Sequence, residues 1–266
     1  MSERREPSLS RFVSGRDALE RDGFVVFDHV FTPEELGEVE RLADLLLGGT
    51  LPVHQQRRLQ QFMGDMAPLE GAEGNAHDGG WRQPELEYAS CLQPGLLDTG
   101  VFRKCRQMAK ALGGQVSRRF DHLIYKLPNS RTATPWHQDA AYSKPRFAGD
   151  ATALHFWIPL QDATAENGCM HFEPGSHRAL LRTHGQFTRR TGEKGFQAAE
   201  TEPAGAVVCP VQRGGLTIHT PQTLHYAGPN VTLETRKVWI IQFARFGAVR
   251  LKFKQLIGLA PGRLRG

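Results

Sequence analysis

Sulfur is scarce in this sequence. The 266 residues hold four cysteines, Cys91, Cys105, Cys169 and Cys209, far apart and in no C-x-x-C pair, which excludes a disulfide framework and a cysteine-rich zinc site. No run of about 18 apolar residues occurs, so no membrane-spanning helix is expected. Residues 1–16 are polar and charged and lack the apolar segment of a signal peptide, so the cytoplasm is the expected location. There is no repeat of fixed period and no low-complexity tract. The net charge of +5 is spread along the chain, with small groups at Arg189–Arg190 and at Arg245, Arg250, Lys252 and Lys254. No aromatic-interleaved RNA motif or zinc-finger spacing accompanies it, so neither nucleic acid nor membrane is expected as a partner. The charge is either a solvated surface or a basic rim that attracts an anionic small molecule. Nothing in the sequence fixes an oligomeric state.

What is present points to a packed domain of many short elements. Apolar residues make up 39% and charged residues 23%, enough for a core. Glycine (28) and proline (16) supply frequent turns, which suits short elements better than long helices. Residues 1–20 read as polar and frayed, and Gly23-Phe24-Val25-Val26-Phe27 as a short strand. Thr32-Pro33-Glu34-Glu35 is a helix start, with Leu36, Val39, Leu42 and Leu46 at helical spacing up to Gly48-Gly49. A loop is expected over Gly71 to Gly80 and a second helix over Val101 to Leu112. From about Phe120 the chain turns to short strands: 123–127, 153–160, 169–172, 206–211, 216–219 and 238–246. The expected fold is mainly β, with a helical N-terminal layer over about 1–115. A double-stranded β-helix of the jelly-roll, cupin-like kind follows over about 116–250, all in one domain spanning 1–266. Residues 178–214 form a variable loop or lid region.

The sharpest local feature is Trp136-His137-Gln138-Asp139. On a strand, residues two apart share a face, so His137 and Asp139 can address one ion. An imidazole and a carboxylate are two thirds of the His-His-carboxylate facial triad that binds Fe(II) with positions left open. Such triplets alone are common on surface turns, and a second, distant histidine is needed. His225 ends a run from Gly214 and enters the turn Tyr226-Ala227-Gly228-Pro229-Asn230. Arg236 then opens the apolar strand Lys237 to Phe243. Buried, it would offer a planar fork to a carboxylate; on the surface, it would pair with Glu234.

These blocks resemble the phytanoyl-CoA dioxygenase family. The resemblance rests on His137-Gln138-Asp139, Trp157 to Thr164, Glu166-Asn167-Gly168-Cys169-Met170, Pro174-Gly175-Ser176-His177-Arg178, and His225 to Asn230 with Arg236, in order, and covers residues 20–245. It implies Fe(II) held by His137, Asp139 and His225, and 2-oxoglutarate anchored by Arg236, with Trp157 and His122 close to the cosubstrate. It implies an oxygenase that couples O2 to hydroxylation of an unactivated C–H in a small-molecule metabolite or natural-product intermediate, giving succinate and CO2. Epimerisation, desaturation or cyclisation would use the same residues. The family often has serine two residues after the distal histidine; here it is Ala227, which leaves more of the anchoring to Arg236. Asp139 argues against a halogenase, which frees a position for chloride by replacing the carboxylate.

Other histidines have plainer readings. His155 shares a face with Trp157, so it lines the pocket or is a hydrogen-bonded core residue; His219 lies on the strand leading to His225. His54, His77 and His184 fall in expected loops, and His171 and His177 in an architectural block built on the Asn167-Gly168 and Pro174-Gly175 turns. Two further readings of the triad are a zinc hydrolase on the same ligands, which needs no arginine anchor, and a β-helix module that binds without catalysing.

Overall fold

A computed structural model describes residues 9–47, 85–113, 118–130, 133–142, 153–188, 194–198 and 203–244. The loop expected over Gly71 to Gly80, and His54 and His77, lie outside them. The expected frayed start is a helix, α1 (Leu9–Asp22). It is sparse in apolar residues, which is why periodicity does not reveal it, yet Leu19 is buried. Gly23, at φ 85°, returns its N–H to the Leu19 carbonyl and ends it, a left-handed stop that favours glycine.

Helix α2 (Pro33–Leu47) begins with a reciprocal cap. The Glu35 N–H donates to Thr32 Oγ1 at 3.3 Å, and the Thr32 N–H donates to Glu35 Oε2 at 2.9 Å. Leu36, Val39, Leu42 and Leu46 are all buried, as their spacing requires. Two more α-helices follow among the described residues, α3 (Ala89–Leu92) and α4 (Gly100–Ala111), the latter capped by Thr99, whose side chain accepts from the Phe102 N–H.

The strands are β1 (Phe24–Phe27), β2 (Glu85–Glu87), β3 (Arg118–Lys126), β4 (Thr134–His137), β5 (Leu154–Pro159), β6 (Met170–Phe172), β7 (His184–Thr188), β8 (Lys194–Ala198), β9 (Val207–Cys209), β10 (Leu216–His219), β11 (His225–Ala227) and β12 (Arg236–Phe243). One sheet has the order β1-β10-β5-β12-β3-β2, the second β4-β11-β6-β9, and β7-β8 form a hairpin; every pairing is antiparallel. This is the expected jelly-roll, with helices on the outer face of the larger sheet. The hairpin puts regular structure inside the region expected to be a loop.

Period-two alternation divides the larger sheet's residues between two cores. Leu123, Tyr125, Phe156, Ile158, Ile218, Trp239 and Ile241 pack with Leu36, Val39, Leu46, Val101 and Met108 of the helices. Trp157 and Val238 face the other way and pack with Met170, Phe172 and Ala227 of the smaller sheet and with the adjoining Cys169. Buried Asp121 ties the layers, accepting from Ser90 Oγ at 2.6 Å and Trp239 Nε1 at 3.1 Å. The register fixes which residues look inward between the sheets, and there the polar ones gather.

Candidate functional site

His137 ends β4 and His225 begins β11, and the two are direct partners across the strands, with ring centres 4.1 Å apart. Each Nδ1 is committed to a nearby carbonyl: His137 to Pro135 O at 2.8 Å, His225 to Thr223 O at 2.9 Å. A carbonyl only accepts, so each Nδ1 donates to it, and this turns each Nε2 toward the interior. Both Nε2 atoms face Asp139, at 3.4 Å for His137 and 3.8 Å for His225.

The reason Asp139 stands there differs from the strand argument. β4 stops at His137, and Asp139 opens a 3-10 turn, Asp139–Tyr142. The Ala140 N–H to Pro221 O bond, 2.9 Å, holds that turn against the chain leading to His225. Gln138, between the two, donates from Nε2 to Gln222 O at 2.7 Å and accepts from the Arg182 N–H at 2.9 Å. The Gln138 N–H also donates to His184 Nε2 at 3.0 Å. His184 is therefore not a solvated loop residue: it ties the β7-β8 hairpin to the strand that carries His137.

His137, Asp139 and His225 each offer one ligand atom, and these lie within 4.8 Å of one another. Asp139, His155 and His219 form a second such group that shares the carboxylate. Burial alone would raise the Asp139 carboxyl, but the neighbouring His155 and His225 and hydrogen bonds from His137 and His155 hold it well below the usual carboxylate range. Burial, with His137 alongside, holds the His225 imidazole well below its ordinary value, so it stays neutral and able to coordinate. Asp139 keeps 24% side-chain exposure in an otherwise buried cluster, which marks the open side of the site.

Arg236 is 1% exposed and pairs in register with buried Lys126. Lys126 Nζ donates to the carbonyls of Ala227 and Gly228. Arg236 Nε, by contrast, has no hydrogen-bond partner among the described residues. Its guanidinium lies 5.6 Å from the centre of the Trp157 ring. Burial pushes the group down to about 9, the mark of a cation out of water without a counter-ion. The surface pairing with Glu234 does not occur. His122 lines the same interior, its Nδ1 2.9 Å from Glu85 Oε1. Burial works against its charge, but the bond and charge of Glu85 outweigh it and raise the imidazole. His171 and His177 stay outside the cluster: His171 packs edge-on to Trp136 and Tyr226, and His177 Nε2 reaches Glu20 O at 3.1 Å.

His155, His219, Gln242 and Lys126 also face this interior; the sequence left a pocket-lining place open for His155 and assigned no role to the other three. A signal was available for Gln242, a polar side chain on the inward-facing positions of an otherwise apolar strand. Among the described residues no helix is long and apolar enough to cross a membrane.

Known proteins share this architecture. EvdO2 of Micromonospora carbonacea var. aurantiaca, solved in complex with 2-oxoglutarate, matches with a TM-score of 0.68 at 28% identity, over 87% of this chain and 89% of that one. The α-ketoglutarate-dependent epimerase SnoN from nogalamycin biosynthesis shares the fold, with a TM-score of 0.64 at 22% identity over 97% of this chain and 94% of that one. Phytanoyl-CoA dioxygenase domain-containing protein 1 of Mus musculus is 30% identical over 254 residues, 84% of this chain and 86% of the mouse protein. The family profile itself runs over residues 19–238, from the end of α1 to the strand that bears Arg236, and the chain belongs to the phytanoyl-CoA dioxygenase family.

Proposed function

We propose that the protein is a 2-oxoglutarate-dependent non-haem iron dioxygenase in which His137, Asp139 and His225 hold Fe(II) and Arg236 anchors the cosubstrate. The observation that carries this reading is Arg236. A fully buried guanidinium with an unpartnered Nε is costly unless an anion completes it, and its planar fork fits a carboxylate. Two imidazoles and one carboxylate suit Fe(II), and a dicarboxylic keto acid can reach both a metal and Arg236. A zinc hydrolase on the same three ligands would leave that arginine without a purpose.

Bound together, Fe(II) and 2-oxoglutarate activate O2 to oxidise an unactivated C–H, with succinate and CO2 as co-products. The chain's own residues set the conditions for that chemistry. Pro135 O and Thr223 O hold the two imidazoles with Nε2 turned toward Asp139. Trp157 flanks the anchoring guanidinium and helps keep water from it. His122 has its Nδ1 engaged by Glu85, so only Nε2 is left for the cosubstrate. Ala227 offers no hydroxyl, and its backbone carbonyl instead binds Lys126. The substrate is a small molecule, entering on the open side of Asp139 below the tethered β7-β8 hairpin. Hydroxylation is the expected outcome, with epimerisation, desaturation and ring closure available to the same residues. Four unpaired cysteines suit a reducing compartment such as the cytoplasm.

Purified protein with Fe(II), 2-oxoglutarate and O2 should form succinate slowly even without substrate, and His225→Ala should abolish it. Wild-type protein that neither binds 2-oxoglutarate nor forms succinate contradicts the proposal.

A further inference from the structure

Three adjacent strands place Gln242, His155 and His219 in one row: Gln242 pairs with His155 in register, and His155 with His219. All three are on the inward face, beneath Asp139. His155 Nδ1 lies 2.6 Å from Asp139 Oδ2, and His219 Nε2 lies 3.3 Å from the same oxygen. Gln242 Nε2 is hydrogen-bonded to His155 Nε2.

The chemistry of these contacts assigns the protons. An amide N–H can only donate, so His155 Nε2 accepts from Gln242 and the imidazole proton sits on Nδ1. That proton points at Asp139 Oδ2, where a bare nitrogen at 2.6 Å would meet an acceptor with its own lone pair. The other carboxylate oxygen, Oδ1, is the one nearest His137 Nε2, at 3.4 Å, while His225 Nε2 is nearest Oδ2, at 3.8 Å. A carboxylate on a short turn can rotate about its last bond, and one oxygen pinned from below removes that freedom.

We propose that His155, with its tautomer fixed by Gln242, is a positioning residue: it engages Oδ2 of Asp139 and so holds the carboxylate in a single orientation toward the cation. This rests on the reading of His137, Asp139 and His225 as the metal ligands. Partners that orient a ligand in this way are typically worth about 10- to 100-fold in metal affinity.

The test is Fe(II) affinity of the full chain, measured anaerobically by equilibrium dialysis, with far-UV circular dichroism to establish folding. His155→Leu removes the donor and should weaken Fe(II) binding by about 10- to 100-fold. His155→Asn keeps an N–H near the position of Nδ1 and should restore affinity to within a few-fold. Gln242→Leu frees the tautomer and should show a smaller loss, which carries the test if His155→Leu does not fold. Equal loss in His155→Leu and His155→Asn overturns the proposal, because the donor would then not be what matters. So does a stoichiometry of two cations per chain, since His155 and His219 would then be ligands themselves. Tight binding by wild type with unchanged binding by His155→Leu overturns this inference alone. No Fe(II) binding by wild type overturns the ligand assignment as well.

Discussion

Replacing Arg236 by methionine should make the ligand-free protein more stable while it destroys cosubstrate binding. Burial holds the guanidinium at about 9, far below its ordinary value. At about 1.4 kcal/mol for each tenfold change in the acid constant, keeping that cation charged costs on the order of 5 kcal/mol. Methionine fills much of the same volume and carries no charge. Against the gain stands the loss of the contact with the Trp157 ring, about 1–2 kcal/mol for a desolvated pair. A net stabilisation of about 3–4 kcal/mol remains, and at about 2–4 °C per kcal/mol it appears as a clear rise in Tm. The cosubstrate's carboxylate loses two charge-assisted hydrogen bonds, each worth about 1.5 kcal/mol or more. Affinity should therefore fall by at least about a hundredfold. Scanning calorimetry of the apoprotein reads the first effect, and anaerobic titration calorimetry of 2-oxoglutarate into Fe(II)-loaded protein reads the second. A lower Tm with unchanged 2-oxoglutarate affinity would refute the idea that Arg236 is a stored, unpaired charge awaiting an anion.

Other expectations follow from the same geometry. Burial holds the His219 imidazole at about 4, so between pH 6.5 and 4 the unfolded chain takes up a proton that the folded chain refuses. Apoprotein stability should be full above about pH 6.5 and decline toward pH 4 by on the order of 3 kcal/mol from this group; urea unfolding at pH 7 and pH 4.5 that gives equal stability counts against it. Gly168 sits at φ 89°, and a Cβ there would collide with the Gly228 carbonyl, which also receives Lys126. Gly168→Ala should cost about 1–3 kcal/mol and weaken Fe(II) binding by shifting the turn after His225, whereas Gly185→Ala, with open space around it, should do neither. Thr32→Ala breaks the reciprocal cap on α2 and should cost about 1 kcal/mol in chemical denaturation, with succinate formation unchanged.

Much of this was legible in the sequence, for identifiable reasons. α2 was readable because its apolar spacing, its cap and its acidic first turn all agree. The strands of the larger sheet other than β2 were readable from apolar runs such as that of β12, where Trp239 and Ile241 alternate with inward residues such as Val238. α1 was not, because its hold on the fold comes through few buried side chains rather than a stripe. β2, β7, β8 and β11 escaped because they are short and polar and take their form from neighbouring strands. The site shows the same division. His137, Asp139 and His225 were singled out by type and order, and the structure brings them together, but Asp139 stands on a 3-10 turn and not on the strand. The roles of His155 and Gln242 depend on strand register, which spacing along one segment does not contain.

The most direct measurement of the central claim is anomalous diffraction at the iron edge from crystals grown without oxygen in Fe(II) and 2-oxoglutarate. One peak is expected within bonding distance of His137 Nε2, the Asp139 carboxylate and His225 Nε2, with a cosubstrate carboxylate on the Arg236 guanidinium. Iron bound elsewhere, or 2-oxoglutarate seated away from Arg236, would contradict it.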